Sequence, residues 1–302
     1  MKNFIVHHIA VCYMLIASFC FAVTSLFAKL LGDQMPSGEV VFWRNFIGLV
    51  LIVFSILLAK EREKSVGGHP FLLIFRGIIG VLSLLAFFYN VTHISLAAAF
   101  TFSKTSPIFT AIFCAVLLKE RIGRLGWSAV VFGFVGILLV IQPHFGVSKT
   151  DIVGIIGGVG AALAYTSVRE LRKFYETKLI VLSFMFFGSL VPLLFALFGG
   201  FGGLRENEFW GFLFAPFVLP DLKGWFFLAL MGIFGTIFQV YITKAYAASR
   251  SAGLISAVSY TDIVFSTFFG CLLGDALPNA LGFLGILVIV VAGVLVSLKP
   301  EK

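Results

Sequence analysis

Charge is what this sequence of 302 residues has least of. Asp, Glu, Lys and Arg make up 12% of it, about half the roughly 25% of a soluble globular chain. With 60% of residues apolar and a mean hydropathy of +1.07, an ordinary water-facing surface cannot be built from it. The shortage excludes a soluble fold, although length alone would accommodate two domains. Cysteine is scarce too. Cys12, Cys20, Cys114 and Cys271 sit inside apolar runs without a Cys-x-x-Cys pair or a neighbouring His, which argues against both a zinc site and a disulfide framework.

Catalytic signatures are also missing. No Gly-x-x-x-x-Gly-Lys-Ser/Thr loop is present to power transport through the chain's own ATPase, and no His-Glu-x-x-His to hold the zinc of an intramembrane protease. Gly158-Val159-Gly160 lacks the third glycine and the strand of a dinucleotide site. We therefore expect no enzyme, no cofactor and no metal. The net charge of +8 is scattered among apolar runs rather than gathered in a stripe, which speaks against nucleic acid and for loops on the inner face of a membrane. Only Lys2 precedes an apolar stretch that runs to Leu31, too long for the core of a signal peptide, so this stretch is expected to be a retained first span.

What the chain does have is long apolar runs. A helix needs about 20 residues to cross the roughly 30 Å hydrocarbon core. Ten segments qualify, at 9–31, 38–59, 71–92, 97–118, 125–143, 152–172, 179–201, 224–247, 252–274 and 279–298. The connections are mostly short and hold the breakers Pro36, Pro70, Gly123 and Pro278, so neighbouring spans must form antiparallel hairpins. The longer stretch from Gly202 to Lys223 reads as interfacial, with Phe209, Trp210, Phe212, Phe214 and Phe217 beside Pro216 and Pro220.

Orientation follows from 22 Lys and Arg residues. With the N-terminus inside, four fall on the outer side (Lys29, Lys149, Arg205 and Lys223) and two within spans (Arg44 and Lys104). The other sixteen, Arg76 among them, fall on the inner side, which predicts a multi-pass protein of the cytoplasmic (inner) membrane with N- and C-termini both in the cytoplasm.

The two halves of the chain match. A shift of 155 lays residues 97–120 on 252–275, pairing Ala97 with Ala252, Ile108 with Ile263, Phe113 with Phe268, Leu117-Leu118 with Leu272-Leu273, and Glu120 with Asp275. Both copies run on to a Gly-containing helix closed by Pro, Gly136 to Pro143 and Gly293 to Pro300. The expected fold is an all-α membrane protein of ten transmembrane helices in two five-helix repeats, 1–145 and 146–302. An odd number of spans inserts the second copy upside down, the architecture of secondary transporters with a site near the midplane.

Certain motifs carry a family likeness. Arg76-Gly77-x-x-Gly80, Ala97-Ala98-Ala99, Ser106-Pro107-Ile108-Phe109 and Leu117-Leu118-Lys119-Glu120 resemble the first half of an EamA-type member of the drug/metabolite transporter superfamily. The second half agrees through Gly232-x-x-Gly235, Gln239, Lys244-Ala245-Tyr246, Tyr260 and the stretch from Gly270 to Asp275. The resemblance covers about residues 9–298 and implies ten helices in inverted repeats and transport of a small metabolite, often outward. Two residues depart from the pattern: Asp275 stands where Glu is more usual, and Lys104 is not a general feature of the superfamily.

Charge inside a span is costly and normally faces a cavity or a partner. Lys104 falls roughly 10 Å below the outer boundary, Asp262 roughly 15 Å from the inner one and Arg44 roughly 9 Å from the outer one. Lys104 and Asp262 lie on repeat-equivalent helices. They are candidates to hold the opposite charges of a zwitterion or to exchange a coupling proton, against the plain alternative of an ion pair locking two helices. Arg44, after Phe42 and Trp43, is a candidate carboxylate ligand or a structural cation. Lys29, at the end of the first span, is expected to snorkel to the headgroups.

Among the neutral groups Tyr89, Asn90, Ser103, Tyr165, Gln239, Tyr241 and Tyr260, resemblance and depth select Tyr89, Gln239 and Tyr260 as cavity candidates, with interhelical hydrogen bonding as the alternative. Gly154, Gly158, Gly133 and Gly136 are read as helix contacts. Glu120 and Asp275 are expected to pair with local cations or cap helices. The partners expected are a small-molecule substrate, the lipid bilayer and, if Asp262 titrates in the cycle, a coupling proton. The function expected is a secondary transporter or exporter of small polar metabolites, amino acids and zwitterions first. The alternatives are a carrier of a larger anionic metabolite, using Arg44 with Lys104, and a non-transporting membrane scaffold.

Overall fold

The computed structural model describes residues 2–32, 34–59, 65–119, 123–142, 148–199, 201, 203–207, 209–249, 255, 258–277 and 279–298. Among them there is no strand. The helices are α1 (Lys2–Leu31), α2 (Ser37–Leu57), α3 (Pro70–His93), α4 (Leu96–Ser103), α5 (Ser106–Leu117), α6 (Arg124–Ile141), α7 (Lys149–Leu171), α8 (Thr177–Phe198), α9 (Leu222–Ala248), α10 (Thr261–Leu272) and α11 (Ala280–Leu298). Short 3-10 turns at Leu204–Glu206 and Gly211–Phe214 are the regular structure of the long connection. Seven of these segments are long and apolar enough to cross a bilayer: α1 from Ile9, α2, α3, α4 with α5 as Leu96–Leu117, α7, α8 and α9. The molecule is a multi-pass membrane protein. Large apolar side chains such as Phe54, Leu57, Val131, Phe226 and Leu287 stay exposed on its outside, where lipid makes exposure inexpensive.

Local chemistry fixes the ends. Pro70 opens α3 at a position that needs no N–H donor, and Ser148 and Asp151 form a reciprocal capping box on α7. The Asp221 side chain accepts the Gly224 N–H at 2.6 Å to start α9.

The span read as continuous over 97–118 is in fact two helices. Pro107 removes a hydrogen-bond donor and its ring collides with the Ser103 carbonyl, so the chain turns at Lys104–Thr105 before α5 resumes. The second half breaks in the same register without a proline. Residue 258 is helical, 259–260 form a turn, and α10 begins at Thr261, 155 positions after Ser106. Both α5 and α10 are 12 residues long and are followed, again 155 apart, by a left-handed residue, Lys119 (φ 54) and Gly274 (φ 88). The expected start of the ninth span at Ala252, the acid Glu120, the closing Pro143 and Pro300, and Pro278 lie outside the described residues.

Helices pack as pairs: α1 on α9, α3 on α7, α2 on α8, α6 on α11. Weaker contacts join α2 to α9, α3 to α8, α1 to α10 and α5 to α7. Exchanging the helices of residues 1–145 for those of 146–302 in chain order turns α1–α9 into α3–α7, α2–α9 into α3–α8 and α1–α10 into α5–α7. It leaves α2–α8 and α6–α11 unchanged. At the centre Phe21 stacks between Phe87 (4.7 Å) and Phe238 (4.5 Å), with Phe100 edge-on at 5.1 Å. Gly154 and Gly158 bring α7 onto the break in the fourth span: a Cβ at Gly158 would collide with Thr105 Oγ1.

Candidate functional site

The break between α4 and α5 puts Lys104 in the protein interior, 4% exposed. Its Nζ donates to Asp262 Oδ2 and, at 3.3 Å, to Ser259 Oγ, the residue 155 positions further on. Asp262 lies in the first turn of α10, 2% exposed, and its Oδ1 has no hydrogen-bond partner. The two charges that the sequence places inside spans therefore meet. A buried pair of this kind holds two broken helices together, and one free carboxylate oxygen remains to accept from a third group.

A cavity of ≈ 40 Å³ opens beside this junction. Its polar lining is Arg76 and Ser83 from α3, Ser103 from α4, Tyr165 from α7 and Gln239 from α9, with Phe21, Phe87, Phe184 and Phe238 as aromatic walls. Gln239, a candidate from the sequence, is in this lining, and its Oε1 has no partner. Ser103 and Tyr165, noted in the sequence but not selected, are in the lining as well.

Arg76 corrects the sequence reading. Counted there among the inner-side charges, it is 1% exposed within α3. Its guanidinium is wedged between Phe184, 4.5 Å from the ring centre, and Gly80, where a Cβ would stand 2.6 Å from Nη1. The signal was present in the Arg76-Gly77-x-x-Gly80 spacing, which places the bare glycine one turn beyond the arginine. Moving Arg76 from the inner set leaves the inward charge bias intact.

The other candidates stand away from the cavity. Arg44 is fully buried, donating to Asn45 Oδ1 at 3.0 Å and to the Gly235 carbonyl at 3.3 Å, with Nε unpartnered. Tyr89 stacks on His93 (4.0 Å) and contacts Phe212 (4.2 Å), with the Lys149 ammonium 5.1 Å from its ring, near the end of α3. Tyr260 is buried with its ring against Gly133 of α6, and its hydroxyl has no partner. Lys29 does not snorkel freely: it pairs with Asp275 at 2.6 Å and reaches the Ile94 carbonyl at 3.4 Å. Asp275 also accepts the Leu96 N–H at 2.9 Å, so it pairs with a cation and caps α4 together. Among the described residues no three His, Cys, Asp or Glu side chains converge on a metal position.

The EamA-like transporter family matches residues 8–142. A transporter of uncharacterized function from Helicobacter pylori J99 is 33% identical over 306 residues, covering 99% of this chain and 97% of its own. The chain belongs to the EamA-like transporter family. Another relative, the pseudopaline exporter CntI of Pseudomonas aeruginosa, is 30% identical over 93% of each chain. The S-adenosylmethionine uptake transporter of Rickettsia prowazekii is 22% identical over 97% of this chain and 93% of its own. One solved structure superposes on 98% of the chain, and 96% of its own, with a TM-score of 0.68 at 18% identity, which speaks for the fold alone. These relatives are named as transporters, and this EamA-like chain is a carrier of small metabolites rather than an enzyme.

Proposed function

We propose that the chain is a secondary transporter that exports small polar metabolites, with amino acids and related zwitterions favoured. It acts in the cytoplasmic (inner) membrane by alternating access between two inverted five-helix repeats, 1–145 and 146–302, with both termini inside. The observation that carries the reading is the pair of breaks at 104–105 and 259–260, in one register and joined through Lys104, Ser259 and Asp262. Interrupted spans at corresponding positions of two halves are where transporters place their substrate. The exchange symmetry of the helix contacts supports the duplication. Counting α4 and α5 as one span gives ten spans, five to each half, and an odd number inverts the second.

In this reading Lys104, Asp262 and Gln239 line the substrate path, with Asp262 also the seat of a coupling proton, while Arg44, Tyr89 and Tyr260 stand in supporting positions behind it. The exporter is the more similar of the two relatives named for a cargo, which favours the outward direction.

The test is counterflow in proteoliposomes loaded with a panel of unlabelled amino acids and supplied with the labelled forms outside. Accumulation above empty liposomes is expected, and its absence across the panel would favour a scaffold. Reporters test the orientation: one within Arg205 to Asn207 is expected outside and one after Lys302 in the cytoplasm. A cytoplasmic score from the 205–207 loop would overturn the arrangement.

A further inference from the structure

Resting on that transport reading, we infer that Arg76 is the receptor for an anionic group of the substrate, and that the cargo is a small carboxylate with an apolar or aromatic flank. Arg76 is the cation of the central cavity, and no carboxylate of the described residues neutralises it. Nε and Nη1 have no hydrogen-bond partner although the residue is 1% exposed. A buried guanidinium in that condition loses its hydration without compensation, and a planar carboxylate offers two acceptors that match one edge of the guanidinium, Nη2 together with either Nε or Nη1. Lys104 does not compete for this role, because Asp262 already neutralises it and Ser259 takes a second of its three donors.

The surroundings define the rest of the ligand. Phe184 covers one side of the guanidinium, and the absence of a side chain at Gly80 makes room for Nη1. Across the cavity the unpartnered Oε1 of Gln239 asks for a donor, and Phe21, Phe87 and Phe238 supply an apolar wall. The ≈ 40 Å³ of space admits about three water-sized groups, the size of a carboxylate and its first neighbour. A larger cargo then enters headgroup first, with its remainder accommodated as the halves open. Arg76 comes from the first repeat and Gln239 from the second, so a ligand touching both bridges the moving parts.

The test uses the full chain in detergent and thermal unfolding with the twenty L-amino acids and a set of small mono- and dicarboxylates, each beside its neutral amide. A carboxylate is expected to stabilise the protein where its amide does not. Arg76→Gln should weaken that binding at least about tenfold, and Arg76→Lys should retain part of it. Equal stabilisation by acid and amide, wild-type affinity in Arg76→Gln, or no response to any carboxylate would each overturn the assignment. Should Arg76→Gln fail to fold, phenylglyoxal labelling of the wild-type chain decides: the carboxylate must protect the peptide carrying Arg76, and labelling unchanged by it overturns the proposal.

Counterflow of the same compounds separates this inference from the one beneath it. If acid and amide exchange equally, transport stands and the anion receptor falls. Binding that depends on Arg76 without any exchange supports the receptor and removes the transport reading.

Discussion

Of the buried charges, those at two adjoining places are built on opposite principles. At the junction of the broken spans, Lys104 and Asp262 neutralise one another, and Ser259 takes a second donor of the ammonium. In the adjoining cavity Arg76 faces aromatic rings and neutral polar groups, with two of its nitrogens unpartnered. The first arrangement is nearly complete within the protein, whereas the second is completed by something the protein does not supply. A charge that the fold neutralises can serve as a hinge or lock. A charge that it leaves unneutralised beside a cavity is positioned for a solute.

The largest test of this contrast is to break the sealed pair. Lys104→Met or Asp262→Leu strands a buried charge and should cost about 3–5 kcal/mol in detergent unfolding, and the double variant should regain most of it. Additive single effects would show that the residues do not interact. Transport then discriminates the roles: the stable double variant should remain transport-defective, and full activity would remove the pair from the substrate path.

Next in size is the packing that holds the break. Gly158→Ala forces a methyl group into Thr105 and should cost about 1–3 kcal/mol, partly recovered by adding Thr105→Ala. An unchanged melting temperature would mean that α7 does not press on the break.

A pair nearer the surface provides a third point. Lys29 and Asp275 have side chains 23% and 18% exposed, so Lys29→Gln should cost only about 0.2–1 kcal/mol and the loss should shrink in high salt. A penalty as large as that of Lys104→Met would erase the distinction between sealed and edge pairs.

The effect expected at Arg76 is no larger than that of Lys29→Gln. Arg76→Met orphans no carboxylate and removes the contact with Phe184, so unfolding should change by no more than about 1 kcal/mol, even while ligand binding is lost. A loss of several kcal/mol would show that Arg76 is a structural cation and collapse the comparison.

Much of the frame was legible before the structure. Apolar run lengths located the spans, because a lipid core accepts only closed backbone hydrogen bonding over about 20 residues. The shift of 155 already placed Lys104 three residues from the equivalent of Asp262, so their meeting was within reach of the sequence. The break itself was half legible: Pro107 announces it in the first copy, but Asp262 occupies that place in the second, and no residue type there signals a turn.

Helix rotation was not legible. Tyr89, Tyr260 and Gln239 are alike as polar tips on apolar helices, yet one goes to Lys149 and His93, one to Gly133, and only Gln239 to the cavity. By itself, then, the sequence determined that the chain lives in a membrane and where its long apolar helices run, and it carries the expectations of corresponding halves and of loops that favour the inner face. Those properties depend on length, composition and charge count. Only the tertiary structure decided which polar groups share a cavity and that Arg76 turns inward. In spans apolar on every side, lipid and protein interior accept the same residues, and the phase of each helix is set by close packing against its neighbours, as Gly80, Gly133 and Gly158 set it here.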